Sequence, residues 1–203
     1  DMQKMGGTAA LDEPYLDVPI FKLYRKRIIW LIILFAGETL TIFAMSNFQK
    51  TLEHVLVLST FIPLIISSGG NSGSQAATLI IQALALGEVT VNDWWRIARR
   101  EIQSGLFMGI TLGIVGFFII FGGHHIFGLF GEHFFRIGIA IGLAIIGVVL
   151  WGTIMGSMLP LLLKRLGADP ATSSTPFIAT LVDVTGLLIY FGTAFLILRG
   201  VLL

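Results

Sequence analysis

The sequence predicts an all-α membrane protein with five transmembrane helices, and composition and apolar patterning carry that prediction. Of the 203 residues, 55% are hydrophobic and only 12% are charged, about half the charged share of a typical soluble protein. The mean hydropathy is +0.90. Long apolar runs recur along the chain, and about 20 apolar residues suffice to cross a hydrocarbon core of ~30 Å. These observations exclude a soluble globular fold.

Five apolar runs define the predicted spans. Four of them have the length of a single membrane-crossing helix. The second is longer and contains Pro63 and a glycine- and serine-rich run, so we expect either two half-helices around a break or one kinked helix. The five runs cover approximately residues 28–47, 55–86, 102–123, 134–163 and 176–199.

Lysine and arginine predict the orientation, because cytoplasmic loops are enriched in both. The segments before span one, between spans two and three, and between spans four and five hold ten of the 13 basic residues. We therefore expect a cytoplasmic N-terminus and an outside C-terminus. We predict that residues 1–27 form a cytoplasmic approach segment and that residues 28–203 form a five-span transmembrane domain. The N-terminal residues lack the apolar core of a signal peptide. Because the chain begins with Asp1 and not with Met, we expect it to belong to a longer protein.

Charge and composition also exclude some classes of binding partner and metal site. The net charge of +1 provides no basic surface for nucleic acid. The absence of cysteine excludes disulfides and thiolate metal sites. Glycines recur every four residues on spans three and four, which favours close packing within one chain over a subunit interface. They are Gly105, Gly109, Gly113, Gly138, Gly142, Gly152 and Gly156.

Two carboxylates fall inside predicted spans, Asp183 in the fifth and Glu38 in the first. An ionisable group at membrane depth costs about 2.5–3.5 kcal/mol on insertion scales and usually marks a functional site. Asp183 has no Lys or Arg one helical turn away, and Thr175, Ala179 and Gly186 share its face. This small, polar face favours a water-filled path over a structural or protonated acid. For Glu38, a place on the path and a helix-to-helix hydrogen bond remain equally good interpretations.

The run from Gly69 to Gln75 provides further oxygen atoms. If its backbone is broken, unwound carbonyls and amide side chains could bind a cation; the alternative is close helix packing by glycine. Carboxylate, carbonyl and hydroxyl oxygens suit Mg²⁺, Ca²⁺ or Mn²⁺. The histidines are all expected at the outer face, where the adjacent pair is better explained as a polar loop than as a metal site. They are His54, His124, His125 and His133.

Three segments together resemble the membrane domain of the MgtE family of magnesium channels, which is related to the animal solute carrier family 41. The first, residues 61–78, reads FIPLIISSGGNSGSQAAT; the second, 159–171, reads LPLLLKRLGADPA; the third, 176–191, reads PFIATLVDVTGLLIYF. Their combination and order are specific, and the resemblance extends over nearly the whole chain.

The resemblance implies a homodimer with the pore on its axis, lined mainly by spans two and five. It implies that Asp183 binds hydrated Mg²⁺, helped by the carbonyl of Ala179, with Mn²⁺ or Ca²⁺ as surrogates. It also implies cytosolic regulatory domains upstream, joined by a plug helix that could end near residues 1–11. We assign as pore-lining Gly69, Gly70, Asn71, Gly73, Thr180, Gly186 and Glu38.

The expected function is therefore a channel that conducts Mg²⁺ into the cytoplasm across a prokaryotic inner membrane. A Na⁺-coupled Mg²⁺ exchanger is the first alternative, and the sequence does not separate the two. A non-conducting membrane scaffold is the second, in which Asp183 and Glu38 would join helices. An enzyme is not expected, because no nucleophile and histidine pair lies at membrane depth.

Overall fold

The structure is a computed structural model that describes residues 2–7, 11–48, 56–172 and 175–200. All regular structure in these ranges is helical, as predicted. A helical turn at Met2–Met5 and the 3₁₀ turns Val91–Asp93 and Pro170–Thr172 are short. The long helices are α1 (Ile20–Asn47), α2 (Leu56–Leu86), α3 (Trp94–Phe127), α4 (Phe134–Arg165) and α5 (Thr175–Leu198).

Four of these helices, α1, α3, α4 and α5, are long and apolar enough to cross a membrane by length and composition. The helix α2 has 31 residues and is about 46 Å long at 1.5 Å per residue. Its glycine- and serine-rich run makes it less apolar. Two helices start earlier than their apolar runs, α1 at Ile20 and α3 at Trp94. A capping box lies just before α3, at the 3₁₀ turn Val91–Asp93, where Thr90 N and Oγ1 both donate to Asp93 Oδ2.

The second predicted span is one continuous helix that contains Pro63. Of the two expected arrangements, the single helix is therefore present and the break between residues 69 and 75 is not. Glycine and serine have poor helix propensity, which made a break plausible. Packing against α4 overrides that propensity. The carbonyl oxygens of Gly69 and Gly73 occupy the places that Cβ atoms on Gly152 and Gly156 would take.

The glycine stripes of spans three and four pack within the chain, as predicted. A Cβ on Gly109 would lie 3.1 Å from the Ile146 backbone, and one on Gly113 would lie 2.7 Å from the Gly142 carbonyl oxygen. Such direct backbone contact brings helices together in lipid, where the hydrophobic effect between helices is absent.

The helix α4 is the centre of the bundle and α1 is its periphery. α4 packs against α2, α3 and α5. Of its apolar membrane-crossing stretch, 61% is buried inside the bundle, whereas only 6% of the corresponding stretch of α1 is buried. α1 rests mainly on α5, with Trp30 against Phe177 at a ring-centroid distance of 6.1 Å. This arrangement leaves an open space where α1, α2 and α5 approach one another.

Candidate cation site

A cavity of about 420 Å³ lies between α1, α2 and α5. It brings together five residues that the sequence singled out, from three separate helices. Three more polar side chains and five apolar ones complete its lining. The predicted residues are Glu38, Gly70, Asn71, Ala179 and Asp183; the others are Thr41, Ser67 and Ser74, with Met45, Ile62, Pro63, Ile66 and Leu187.

Asp183 is half-buried in α5 and faces Gly70 of α2. A Cβ built on Gly70 would lie 3.8 Å from Asp183 Oδ1 and 3.7 Å from Ala179 Cα. Because Gly70 has no side chain, the carboxylate stays open to the cavity. Ala179 lines the same cavity one turn earlier in α5, which is the relation between these two residues that their spacing predicted.

Glu38 of α1 is also half-buried, and it lines the same cavity as Asp183. Thr41 Oγ1 donates to Glu38 Oε2 at 3.4 Å. Among the residues that the structure describes, the salt bridges involve other groups, and neither carboxylate pairs with Lys or Arg. The cavity therefore concentrates negative charge.

Neutral oxygen and amide groups follow one face of α2 beside these acids. Ser67, Asn71 and Ser74 are spaced four and three residues apart, so they share a face. Asn71 Nδ2 donates to Ser67 Oγ at 3.3 Å, and Ser74 Oγ donates to the Thr175 carbonyl at 3.4 Å. The two serines are cavity residues that the sequence prediction missed, although their spacing from Asn71 signals a shared helix face.

Four of the residues assigned as pore-lining lie away from this cavity in the single subunit. Gly69 faces Val148, and Gly73 faces Gly152. Gly186 faces Ile66 and Val148, while a Thr180 methyl lies 3.0 Å from a Cβ built on Gly37. The three glycines thus pack against neighbouring helices, and for Gly69 and Gly73 this was the alternative to a cation path.

Conventional metal centres are not found in the described ranges. No group of three or more His, Cys, Asp or Glu side chains there could hold a metal ion. His124 stacks on Phe134 at 3.8 Å, and Nδ1 atoms of His124 and His125 bond to backbone carbonyls. His54 lies outside the described residues. The cavity at Asp183 is the place where carboxylates and neutral oxygens meet.

Comparison with known proteins agrees with these features. A family model described as MgtE, divalent cation transporter, matches residues 62–193, which include most of α2 and most of α5. That description is of a transporter, as expected for a chain that is not an enzyme. Proteins named magnesium transporter MgtE from three bacteria align with most of the chain.

The relative from Thermus thermophilus is 37% identical over 203 residues, covering 99% of this chain and 43% of the relative. That from Enterococcus faecalis is 31% identical over 194 residues, covering 95% and 41%. That from Bacillus subtilis is 30% identical over 182 residues, covering 88% and 38%. The chain thus spans about two fifths of the length of these relatives, and it belongs to the MgtE family of divalent cation transporters.

Proposed function

We propose that this chain forms the ion-conducting part of a magnesium channel, in which hydrated Mg²⁺ passes the Asp183 carboxylates of two subunits. The observation that carries the proposal is the Asp183 carboxylate, held at membrane depth beside an open cavity and without a salt bridge among the described residues. An acid at membrane depth raises the free energy of the folded protein unless it faces water or a cation. The relatives named as magnesium transporters support Mg²⁺ as that cation.

The size and chemistry of the cavity favour a hydrated ion. Mg²⁺ keeps several of its six waters when proteins bind it, and six waters occupy about 180 Å³ in the liquid. The cavity of about 420 Å³ has room for such an ion without stripping it. Asp183 and the hydroxyl and amide groups of Ser67 and Asn71 would then bind the waters. Mn²⁺ and Ca²⁺ are the surrogates that this oxygen chemistry admits.

The exposed side of α2 supports a homodimer. Ser67, Asn71 and Gln75 are exposed in the single subunit, yet polar groups facing acyl chains are unfavourable. A second copy that covers this face would enclose the cavity and bring a second Asp183 to the ion. Two carboxylates then face one divalent cation on the dimer axis.

The proposed orientation places the basic end of the bundle in the cytoplasm. Lys4 Nζ donates to Asp169 Oδ2 at 2.8 Å, and Lys164 Nζ donates to the Leu84 carbonyl at 3.4 Å. These contacts bring the N-terminal turn, the end of α2 and the α4–α5 connection to one end. Inner membranes favour basic residues on the cytoplasmic side. In this proposal, cytosolic regulatory domains lie upstream, as the greater length of the relatives allows.

Mg²⁺ flux into liposomes tests the function. Purified protein should admit Mg²⁺, and Asp183→Asn and Asp183→Ala should lower that flux at least about tenfold. Glu88→Gln changes an exposed acid outside the cavity and should conduct like the unmodified protein. Unchanged flux in both Asp183 variants would contradict the proposal. Flux is also expected without a Na⁺ gradient; a strict requirement for one would identify an exchanger instead.

A further inference from the structure

We propose that Glu38 is a second carboxylate of the ion site, so that each subunit presents two negative charges to the cation and Glu38 sets the preference for divalent over monovalent ions. The inference rests on the proposed function, since it concerns the site of Asp183. It assigns a specific role to α1, a helix that otherwise only covers the edge of the bundle.

The position of Glu38 on α1 is the first argument. α1 turns a long apolar face outward, with Phe35, Ile42 and Phe43 exposed. The opposite face contains Leu34, which is buried, and Glu38, Thr41 and Met45, which line the cavity. Glu38 is the only acidic residue of α1. It therefore faces α5 and the cavity rather than acyl chains.

The polar groups around Glu38 provide the second argument. Its hydrogen-bond donor is Thr41 Oγ1 at 3.4 Å, which is beyond the usual range for hydroxyl donors. The other acid that lines the same cavity is Asp183 of α5. An acid that only joins helices is expected to meet a basic group on the facing helix, and neither acid has a salt bridge among the described residues. Two carboxylates in one cavity at membrane depth repel each other, and a divalent cation between them removes this repulsion.

Electrostatic attraction explains why these acids would select for valence. In the proposed dimer, two Asp183 and two Glu38 bring four carboxylates to the site, so one Na⁺ leaves a larger net negative charge than one Mg²⁺ does in a poorly solvated place. Coulombic attraction doubles with the charge of the ion, and low dielectric increases the difference. A site with Asp183 alone would attract cations but would discriminate less between the two valences. Glu38 thus contributes mainly to selectivity and affinity.

The experiment compares Glu38→Gln with Asp183→Asn, with the double variant and with the control Glu88→Gln. Mg²⁺ and Na⁺ flux are measured in liposomes as a function of ion concentration. Glu38→Gln keeps the shape and hydrogen-bonding capacity of the side chain but loses its charge. We expect it to raise the half-saturating Mg²⁺ concentration at least about tenfold and to raise Na⁺ permeation relative to Mg²⁺. Its thermal unfolding should match that of Glu88→Gln.

The outcomes separate this inference from the proposed function. If Asp183→Asn blocks Mg²⁺ flux while Glu38→Gln behaves like Glu88→Gln, Glu38 only joins helices and the inference is wrong. If Asp183→Asn conducts normally, the proposed function itself fails. Should Glu38→Gln lower the unfolding temperature, Glu38→Asp decides the matter. Retained divalent preference in Glu38→Asp supports the role of charge, and its loss contradicts that role.

Discussion

Gly73 of α2 and Gly156 of α4 meet backbone to backbone, with the Gly73 carbonyl oxygen in the place of a Cβ on residue 156. Gly69 and Gly152 repeat this contact one turn away. The two pairs hold α2 against the central helix, and α2 contributes Gly70 and Asn71 to the cavity. Packing of glycine against glycine is thus a structural condition for the candidate site.

Alanine at Gly156 is expected to destabilise the bundle, because the new methyl group meets backbone atoms that cannot move independently. Overpacking of this kind costs about 1–3 kcal/mol or more. Gly192→Ala is the matched control, since a Cβ on Gly192 in α5 meets nothing within 4 Å. Thermal unfolding in detergent should show a lower midpoint for Gly156→Ala and an unchanged or slightly raised one for Gly192→Ala. Equal midpoints would contradict the packing described here.

Adjacent glycines in α2 should respond differently to alanine. Gly70→Ala introduces ordinary contacts of 3.7–3.8 Å with Ala179 and Asp183, so the protein should fold normally. Its methyl group would nevertheless stand beside the carboxylate and reduce Mg²⁺ flux severalfold. Gly69→Ala would place its Cβ 2.5 Å from a Val148 methyl group and 2.9 Å from the Val148 carbonyl oxygen.

Flux and unfolding temperature, measured on both variants, check this pair. Gly70→Ala should lose flux while it keeps its unfolding temperature, and Gly69→Ala should lose stability first. The reverse pattern, or normal flux in Gly70→Ala, would mean that Gly70 does not face the conducting space.

A buried hydroxyl pair also joins α2 to α4. Thr153 Oγ1 donates to the Val149 carbonyl at 2.8 Å, so the 2.6 Å contact with Ser72 Oγ has Ser72 as its donor. Thr153→Val removes the acceptor and leaves the Ser72 hydroxyl unpaired, at a cost of about 1 kcal/mol. In a double-mutant cycle, the loss in Thr153→Val should be partly recovered by Ser72→Ala. Strict additivity of the two losses would show that the pair contributes nothing.

An ion pair outside the membrane should give a small pH dependence. The hydrogen bond from Lys4, and then that from the Ala171 N–H, lower the pKa of Asp169 below its ordinary value of 3.8. A lowered pKa in the folded state means that the contribution is complete above pH 3.8 and disappears as pH falls through the folded value. Because both side chains are 43% exposed, it should remain below about 1 kcal/mol.

The measurement compares unfolding of Asp169→Asn and the unmodified protein at pH 7 and at pH 3. The difference should be small at pH 7, shrink in acid and shrink with added salt. A difference that grows in acid would show that Asp169 contributes by another route.

Part of the candidate site was predictable because membrane depth makes polar residues conspicuous. Asp183, Glu38 and Asn71 stand out in apolar runs, and Ala179 follows from helical spacing. What the sequence could not show is which side of α2 faces which neighbour. Gly69 and Gly70 are adjacent in the chain, yet Gly69 packs on α4 and Gly70 opens onto the cavity.

The sequence left open whether α2 is continuous or broken for a related physical reason. Local propensity argued against a helix through residues 67–75, whereas the stabilising partner lies far along the chain in α4. A signal did exist, since Gly69 and Gly73 have the same spacing as Gly152 and Gly156. Two matched glycine pairs on separate apolar runs indicate helices that pack closely.

The placement of α1 affects how the cavity could change its width. α2 and α5 both lie against α4, and the direct glycine backbone contacts of α2 oppose its sliding, so we expect these walls to move together. α1 touches mainly α5, through side chains such as Trp30 and Phe177. A tilt of α1 therefore breaks the fewest contacts, and it would carry Glu38 towards or away from Asp183 while the remaining walls stay still.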